Sequence, residues 1–354
     1  MLELLSNVDE EFGSVVRSDV ARASALRDPV KAREAAYRAW RTMRSRERLA
    51  EAERSVPLQR FVETRFALPA EVASGKVRMK PPLIRPSKLT YVEKGGVGKQ
   101  LSDGWALNFA VGCTHGCVFC YVDEIQKKFG FVRAGPMVYE EWGNYFGVPE
   151  NIDELIEETP WVKWRGEEVM LSSTHDPYLP QLYRWTRKIL ERALPAGVRF
   201  CIQTRSPLVE RDFDLLLKYR EQVRLQVSIA TMSERLARAV EPRVVPPSRR
   251  LETLRKAKRA GLRTGVIIAP VFPPNRLRPS LSEDLEALAG ELAEIKPDHI
   301  YGESLHVRGI NLVYVERALG EGIKLEGFDQ AARLLFSAKL ADHGLSGVWW
   351  PEEV

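Results

Sequence analysis

The sequence predicts an α/β protein, a partial (β/α)6 TIM-like barrel of parallel strands with an N-terminal helical extension and a C-terminal helical tail. Short segments rich in Val and Ile alternate with helical segments of about 10–15 residues, an order that gives parallel strands and right-handed crossovers. Their composition is typical of strands buried on both faces. Six units are too few for a closed barrel, which typically needs eight units and about 250 residues. The predicted strands are residues 105–112, 167–173, 198–204, 223–230, 263–270 and 298–304.

Helices fill the intervals between these strands. The segment SLSEDLEALAGELAEIKP (280–297) begins with Ser and ends with Lys-Pro, which are helix start and stop signals. The alternation is interrupted by an insertion at residues 121–166. Long insertions after the carboxyl end of a barrel strand are where such folds build binding sites.

Three regions follow from this pattern: a basic helical extension (1–80), the barrel (81–310), and a tail packing on the barrel (311–354). Within the extension, residues 31–54 combine apolar residues at helical spacing with many arginines. Such a run predicts a solvated arginine-rich helix face. A basic arm that binds nucleic-acid phosphates is the alternative.

Composition and charge limit the class of protein. The chain has 354 residues, of which 44% are hydrophobic and 29% charged, as expected for a globular protein. It shows neither an apolar run of about 18 residues nor a signal peptide. Four cysteines in this length do not resemble a secreted disulfide scaffold, so we expect a cytoplasmic monomer. The net charge of +5 permits an anionic partner.

Three of the four cysteines lie in the segment GCTHGCVFCY (112–121), hereafter the cysteine loop, directly after the first predicted strand. Thiolates suit zinc or iron–sulfur clusters. Three of them can hold three irons of a cubane 4Fe–4S cluster and leave the fourth iron open. Zinc with a His or Asp as the fourth ligand is the alternative, and His115 lies inside the loop, although this spacing is a weak zinc pattern.

The cysteine loop resembles the signature of the radical S-adenosylmethionine (SAM) superfamily. Together with LNFAVG before it, the loop is similar to that of the spore photoproduct lyase-like branch, as are STHDPYLP, QTRSPLVERDFDLL and VIIAPVFPPN. The similarity spans roughly residues 85–310. It implies that Cys113, Cys117 and Cys120 ligate a 4Fe–4S cluster whose open iron binds SAM. Reductive cleavage of SAM then gives a 5′-deoxyadenosyl radical that abstracts hydrogen from a substrate.

The resemblance also implies residues that contact SAM. Phe119 is expected to cover the cluster. Glu241 and Arg243 are interpreted as a surface ion pair, and a position near the ribose or carboxylate of SAM is the alternative. The implied cofactor-binding residues are Tyr121, Ser172, Ser173, Thr174, Arg205, Ser228 and Arg243.

Substrate contacts are expected from polar residues that follow the second, fifth and sixth predicted strands. These are His175, Asp176, Tyr178, Asn275, Glu303, His306, Arg308 and Asn311. The lyase places a hydrogen-donating cysteine after its second strand, where this chain has Ser172 and Ser173. The fourth cysteine, Cys201, is expected to be a small apolar residue inside a strand. Thymine-dimer repair by that route is therefore not expected.

The predicted function is a radical SAM enzyme of the lyase or transferase class that repairs or modifies nucleic acid. An electron donor such as ferredoxin or flavodoxin is the expected partner. Aromatic residues of the insertion are candidates for base stacking; they are Trp142, Tyr145, Phe146, Trp161 and Trp164. The alternatives are modification of a peptide or small molecule, and a non-catalytic zinc-binding nucleic-acid module.

Overall fold

A computed structural model describes residues 73–77, 79–87, 101–129 and 141–350. Most of the predicted helical extension, including the arginine-rich segment, lies outside the described residues. Its last residues are not helical, since Ala73–Val77 form strand β1, which pairs in parallel with β4 (Tyr145–Pro149). The helix prediction is wrong for these five residues because pairing with the insertion supplies their backbone hydrogen bonds.

An eight-stranded sheet forms the centre of the fold, in the order β10-β9-β8-β7-β6-β5-β3-β2. All neighbours are parallel except β2, which is antiparallel to β3. The six predicted strands are confirmed and lie side by side in chain order. Their bounds, with the two edge strands, are β2 Ile84–Pro86, β3 Trp105–Leu107, β5 Glu168–Leu171, β6 Arg199–Thr204, β7 Val223–Ser228, β8 Arg263–Val271, β9 His299–Ser304 and β10 Val348–Trp350.

The helices are α1 Val122–Phe129, α2 Ile152–Glu158, α3 Tyr183–Ala193, α4 Phe213–Lys218, α5 Glu234–Val240, α6 Pro247–Ala260, α7 Leu281–Ile295, α8 Asn311–Leu319 and α9 Phe328–Asp342. The predicted signals around α7 are confirmed. The hydroxyl of Ser280 accepts a hydrogen bond from the Glu283 backbone N–H (3.1 Å), and Lys296 ends the helix in a left-handed conformation. No helix among the described residues combines the length and apolar character needed to cross a membrane.

The C-terminal tail contributes a strand as well as two helices. After α8 and α9, β10 pairs in parallel with β9 and becomes the edge strand of the sheet. Trp349 is buried against Phe336, with ring centroids 5.2 Å apart. Among the described residues the partial barrel therefore has seven parallel strands, one more than predicted. The sequence did not predict β10 because it shows no Val- or Ile-rich run at this position.

The two faces of the sheet differ in character. Side chains alternate between faces along a strand, and in β7 the residues Val223, Leu225 and Val227 pack in the apolar core with the helices. The side of the sheet that carries these three residues is its outer face. The residues between and after them, Arg224, Gln226 and Ser228, lie on the inner face, the concave side of the partial barrel. The expectation of strands buried on both faces is confirmed for β7, whose six residues are all buried, although the buried inner face is polar.

The insertion is part of the core. Trp142, Tyr145, Trp161 and Trp164 are buried, and Phe146 packs half-buried against the same core. The indole of Trp161 donates to the carbonyl of Ile156 at 2.9 Å, which anchors it inside the protein. The expectation that these aromatic side chains stack on bases is wrong for the four buried ones, because their surfaces are already covered, and stays a prediction for Phe146.

Candidate active site

The cysteine loop begins at Gly112, shortly after β3 ends at Leu107, and is held by the insertion. Val111 and Gly147 of β4 exchange backbone hydrogen bonds of 3.0 and 2.7 Å. Gly112 follows with a φ of +80°, and a Cβ there would lie 2.5 Å from the carbonyl oxygen of Tyr145. Only glycine fits this conformation and this close approach. The loop is thereby directed across the carboxyl edge of the sheet.

Two backbone hydrogen bonds fold the cysteine loop into two turns. The backbone N–H of Gly116 donates to the carbonyl of Cys113 (3.3 Å), and that of Cys120 donates to the carbonyl of Cys117 (3.1 Å). Burial raises the pKa of Cys113 and of Cys120 to about 12 and raises that of Cys117 further. Without a metal the thiols are protonated at neutral pH, so cluster binding must displace their protons.

The donor set fits an iron–sulfur cluster better than a single zinc ion. Within the described ranges, no three His, Cys, Asp or Glu side chains are arranged to hold one metal ion. Three thiols on one loop suit a cluster, whose irons spread the ligands apart. Nδ1 of His115 lies 3.5 Å from Oδ2 of Asp176, so this ring faces the segment after β5.

The carboxylate of Asp176 joins three parts of the site. It accepts hydrogen bonds from the Thr204 hydroxyl (2.7 Å) and from the backbone N–H groups of Arg205 (2.7 Å) and Tyr178 (2.8 Å). These contacts fix the ends of β5 and β6 beside His115 of the cysteine loop. Asp176 is buried, and its hydrogen bonds give it a positioning role instead of the predicted substrate contact.

The segment after β5 is bound to both β3 and the cysteine loop. The Tyr121 hydroxyl donates to the Ser173 carbonyl (2.8 Å), and the Ser173 backbone N–H donates to Oδ1 of Asn108 (2.9 Å). The Ser172 hydroxyl donates to the His175 carbonyl at 2.6 Å, and Thr174 lies 3.4 Å from Nδ1 of His175. Sequence reasoning missed Asn108, which lies in the LNFAVG segment.

A buried ion-pair network lies beside this segment. Oε1 of Glu241 accepts from Nε of Arg205 (2.8 Å) and Nη1 of Arg250 (3.2 Å), and Oε2 accepts from Nη2 of Arg250. Arg250 also donates to the carbonyl of Ser228 (2.8 Å), at the end of β7. Arg205 lies over the ring of Phe119, with its guanidinium carbon 5.6 Å from the ring centroid. The interpretation of Glu241 as part of a surface pair is wrong, since it is buried.

Arg243 binds the part of the insertion that packs against the cysteine loop. Its guanidinium donates to the carbonyl of Gly143 and to Oδ1 of Asn144 in the insertion. Gly143 in turn packs against Gly116, where a Cβ on Gly143 would lie 2.7 Å from the Gly116 Cα. The contacts of Arg243 are therefore with the insertion, and its predicted contact with SAM stays a prediction.

The segment after β9 closes the other side of the site. Asn311 donates from Nδ2 to the carbonyls of Phe119 and His306, both at 3.0 Å, and so joins this segment to the cysteine loop. His306 lies 3.7 Å from Glu303, and Arg308 is exposed. Burial raises the pKa of Glu303 to about 7, although the charge of Arg308 opposes the shift.

Three other predicted substrate residues are buried. Tyr178 donates its hydroxyl to Oδ2 of Asp212 (3.0 Å) and is fully buried among the helices. Asn275 caps a turn, since its Oδ1 accepts from the backbone of Leu277 and Arg278. These two predictions are wrong because both side chains already have structural partners. His175 packs against Phe109, and burial lowers its pKa to about 3.

A three-cysteine loop at the carboxyl edge of a partial parallel barrel defines an enzyme class that holds an iron–sulfur cluster. Residues 107–278 match the family model described as the Radical SAM superfamily. The chain is 57% identical over 284 residues to the uncharacterized protein ORF301 of Acidianus two-tailed virus, covering 80% of this chain and 94% of that protein. The chain belongs to the radical SAM superfamily, as the cysteine loop predicted. Its cofactors are the 4Fe–4S cluster and SAM that this superfamily uses.

Solved structures of spore photoproduct lyase share the fold. The enzyme complexed with dinucleoside spore photoproduct superposes with a TM-score of 0.56 at 16% identity, covering 83% of this chain and 85% of that one. A double mutant of the lyase with bound AdoMet and the same dinucleoside gives the same TM-score, identity and coverage. At this level of identity the similarity concerns the fold alone.

Proposed function

We propose that Cys113, Cys117 and Cys120 hold three irons of the cluster, with SAM at the fourth. The observation that carries this assignment is that three thiols lie on one loop at the carboxyl edge of the sheet. When bound, the cluster and SAM supply the 5′-deoxyadenosyl radical that takes hydrogen from a substrate. The chain's own residues hold these groups in place and exclude water from them.

Arg205 is the proposed partner of the SAM carboxylate. Burial raises the pKa of Cys117 and the charge of Arg205 opposes this shift, which supports a guanidinium near the proposed cluster site. Glu241 orients Arg205 through its Nε, and a guanidinium can bind a carboxylate with two parallel hydrogen bonds. Tyr121, which is hydrogen-bonded to Ser173, and Ser228, whose carbonyl accepts from Arg250, are also proposed to contact SAM together with Ser173.

The proposed substrate is a nucleoside unit, as part of a nucleic acid. The shared fold supports this proposal, because one of the solved lyase structures contains a dinucleoside substrate. The exposed Arg308 beyond β9 adds a cation that phosphate groups can contact. Glu303 and His306 lie next to it and are proposed to face the bound substrate.

Anaerobic reconstitution tests the proposed ligands and cofactor chemistry. We expect about four irons per chain, and 5′-deoxyadenosine formation from SAM when dithionite or a reduced flavodoxin is supplied. A colourless protein that binds one zinc ion and leaves SAM intact would contradict the assignment.

The four cysteines are free thiols, which fits the proposed location in a reducing cytoplasm.

A second experiment tests the substrate. The reconstituted enzyme is incubated with deuterated DNA or RNA oligonucleotides, and the 5′-deoxyadenosine is analysed by mass spectrometry. Deuterium transfer from a nucleic acid supports the proposal. Transfer only from a deuterated peptide library would replace nucleic acid with a peptide substrate.

A further inference from the structure

Two exposed arginines, Arg184 and Arg211, lie around one tyrosine ring and are called the arginine pair below. Their guanidinium carbons lie 5.8 and 5.0 Å from the centroid of the Tyr183 ring. Nε of Arg184 also donates to the Tyr183 hydroxyl (3.2 Å), and its two Nη groups stay available to a ligand. Two like charges held this close repel each other, and a bound anion relieves that repulsion.

No carboxylate of the described residues forms an ion pair with either member of the arginine pair. Arg187, on the next turn of α3, binds the nearby acids instead. Its two Nη groups donate to the carboxylate of Asp214 (2.9 and 2.8 Å), and Nη1 also donates to Asp212 (3.1 Å). Its Nε donates to Glu191 at 3.0 Å. The charges of the arginine pair are therefore not neutralised by these acids.

The arginine pair lies at the carboxyl edge of the sheet. Arg184 is the second residue of α3, which follows β5, and Arg211 lies in the segment Pro207–Asp212, which follows β6. Segments that follow parallel strands build the binding sites of such folds. Gln181, three residues before Arg184, accepts a hydrogen bond from the Thr114 hydroxyl of the cysteine loop (3.2 Å). The pair is therefore part of the surface next to the proposed cluster site.

Arg308 provides a third exposed cation on the other side of the site. It follows β9, which lies three strands away from β6 in the sheet. Neighbouring strands are about 4.8 Å apart, so the two positions are separated by roughly 14 Å along the sheet. One nucleic-acid strand rises about 3.4 Å per nucleotide, so roughly four nucleotides or more cover this distance. An extended polyanion can contact both sides, whereas a free nucleoside is too short.

We propose that Arg184 and Arg211 bind backbone phosphates of a nucleic-acid strand whose target nucleotide enters the site. A guanidinium presents a planar fork of N–H donors that matches the oxygens of a phosphate. Phosphate contacts fix the position of a strand without reading its sequence. This inference rests on the proposed nucleic-acid substrate and specifies that the target is a nucleotide within a strand. An acidic peptide is the competing occupant that the experiment distinguishes.

Oligonucleotide binding tests the proposal without turnover. Fluorescence anisotropy of the reconstituted enzyme with SAM is measured with a labelled single-stranded octanucleotide, as DNA and as RNA, with its uncharged methylphosphonate analogue, and with an octaglutamate peptide. We expect the parent enzyme to bind the octanucleotide about tenfold or more tightly than the uncharged analogue. The double variant Arg184→Gln/Arg211→Gln should bind octanucleotides of any sequence about tenfold more weakly than the parent.

The salt dependence of binding separates direct phosphate contacts from an indirect effect. Each phosphate contact to a single strand contributes about 0.7 to the slope of log K against log salt concentration, so the double variant should lose about 1.4 of that slope. The matched control is Lys163→Gln/Arg259→Gln, which removes two exposed charges from the amino edge of the sheet, ahead of β5 and β8. This control should retain both the affinity and the slope of the parent enzyme.

The thermal midpoint and the iron content separate recognition from a structural role. Both arginine side chains are exposed, so their replacement by glutamine should change neither quantity. A lower thermal midpoint in the double variant would assign the arginine pair to the fold and overturn the proposal.

Four further outcomes would overturn the proposal. They are an unchanged affinity and slope in the double variant, failure of every octanucleotide to bind the parent enzyme, equal binding of the uncharged analogue, and tighter binding of octaglutamate. Deuterium transfer from nucleic acid together with unchanged binding by the double variant would refute the arginine pair while leaving the proposed function intact. Absence of SAM cleavage by the parent enzyme would instead refute the proposed function.

Discussion

The outer and inner faces of the same sheet follow different rules. On the outer face of β7, Val223, Leu225 and Val227 pack against helices in a continuous apolar core. On the inner face, Arg224 and Gln226 carry buried polar atoms that no described residue satisfies. One strand thus contributes to stability with one set of side chains and faces the proposed site with the other. Stability and function can therefore be changed by substitutions at adjacent residues.

The largest expected effect comes from the cysteine loop, which lies at the carboxyl edge of the sheet. Cys117→Ala should abolish cluster binding and reductive cleavage of SAM, because two thiolates cannot replace three at the cluster. Iron analysis and 5′-deoxyadenosine production measure the effect. Cys201→Ala, on the inner face, is the matched control and should retain iron. Full iron content in the Cys117 variant would contradict the assigned ligands.

Glu241→Gln should lower the free energy of unfolding by about 3–5 kcal/mol, the usual cost of breaking a buried ion pair. Burial raises the pKa of Glu241, but the charges of Arg250 and Arg205 outweigh it, so the pKa is lowered overall. A lowered folded pKa stabilises the fold above the unfolded value of about 4.3, and this contribution disappears as the pH falls. Urea unfolding of both proteins at several pH values checks the prediction; a difference that grows in acid would refute it.

Leu225→Ala tests the outer face directly. The side chain is fully buried, and its truncation should cost about 2–5 kcal/mol of unfolding free energy through lost burial and a cavity. SAM cleavage per folded molecule should not change. Gln226→Leu, one residue further, is the opposite case, because it removes buried amide atoms that no described residue satisfies and should leave the unfolding free energy nearly unchanged. Equal losses of stability in both variants would remove the distinction between the faces.

The smallest expected effect concerns Glu303, at the open end of the inner face. Its folded pKa is raised to about 7 by burial, so its contribution to stability is fully present below about pH 4.3 and is lost as the pH rises through 7. Glu303→Gln should remove this part of the pH dependence. Thermal midpoints between about pH 5 and 8 measure it, with the exposed Glu326→Gln as control. Parallel profiles for parent and Glu303 variant would contradict the prediction.

The sequence predicted the six central strands and the cysteine loop because both depend on local residues. It did not distinguish Arg250 from Arg249, although the first is buried on Glu241 and the second pairs with Glu210. Adjacent arginines on one helix look alike until the packing direction is known. Strands β1 and β10 were missed because each forms only where a partner strand supplies hydrogen bonds.

The polar inner face did leave a signal in the sequence. The β7 segment VRLQVS alternates strictly, which is typical of a strand with one polar face. The Val and Ile content of the strands predicted burial on both faces, which holds for β7 but does not reveal that one of its faces is polar. The hydrogen-bond partners of Asp176 and Asn108 left no comparable signal, because they depend on which strand ends meet at the carboxyl edge.

The small sheet of β1 and β4 sets a limit on how far the chain can be shortened. β4 holds Val111 next to the cysteine loop and pairs on its other side with Ala73–Val77. Removing residues 1–80 would leave a row of backbone N–H and C=O groups of β4 unpaired beside the cluster ligands. Exposed strand edges of this kind promote pairing between molecules. A shortened protein should therefore begin before Ala73, since a later start exchanges an internal strand for an aggregation-prone edge.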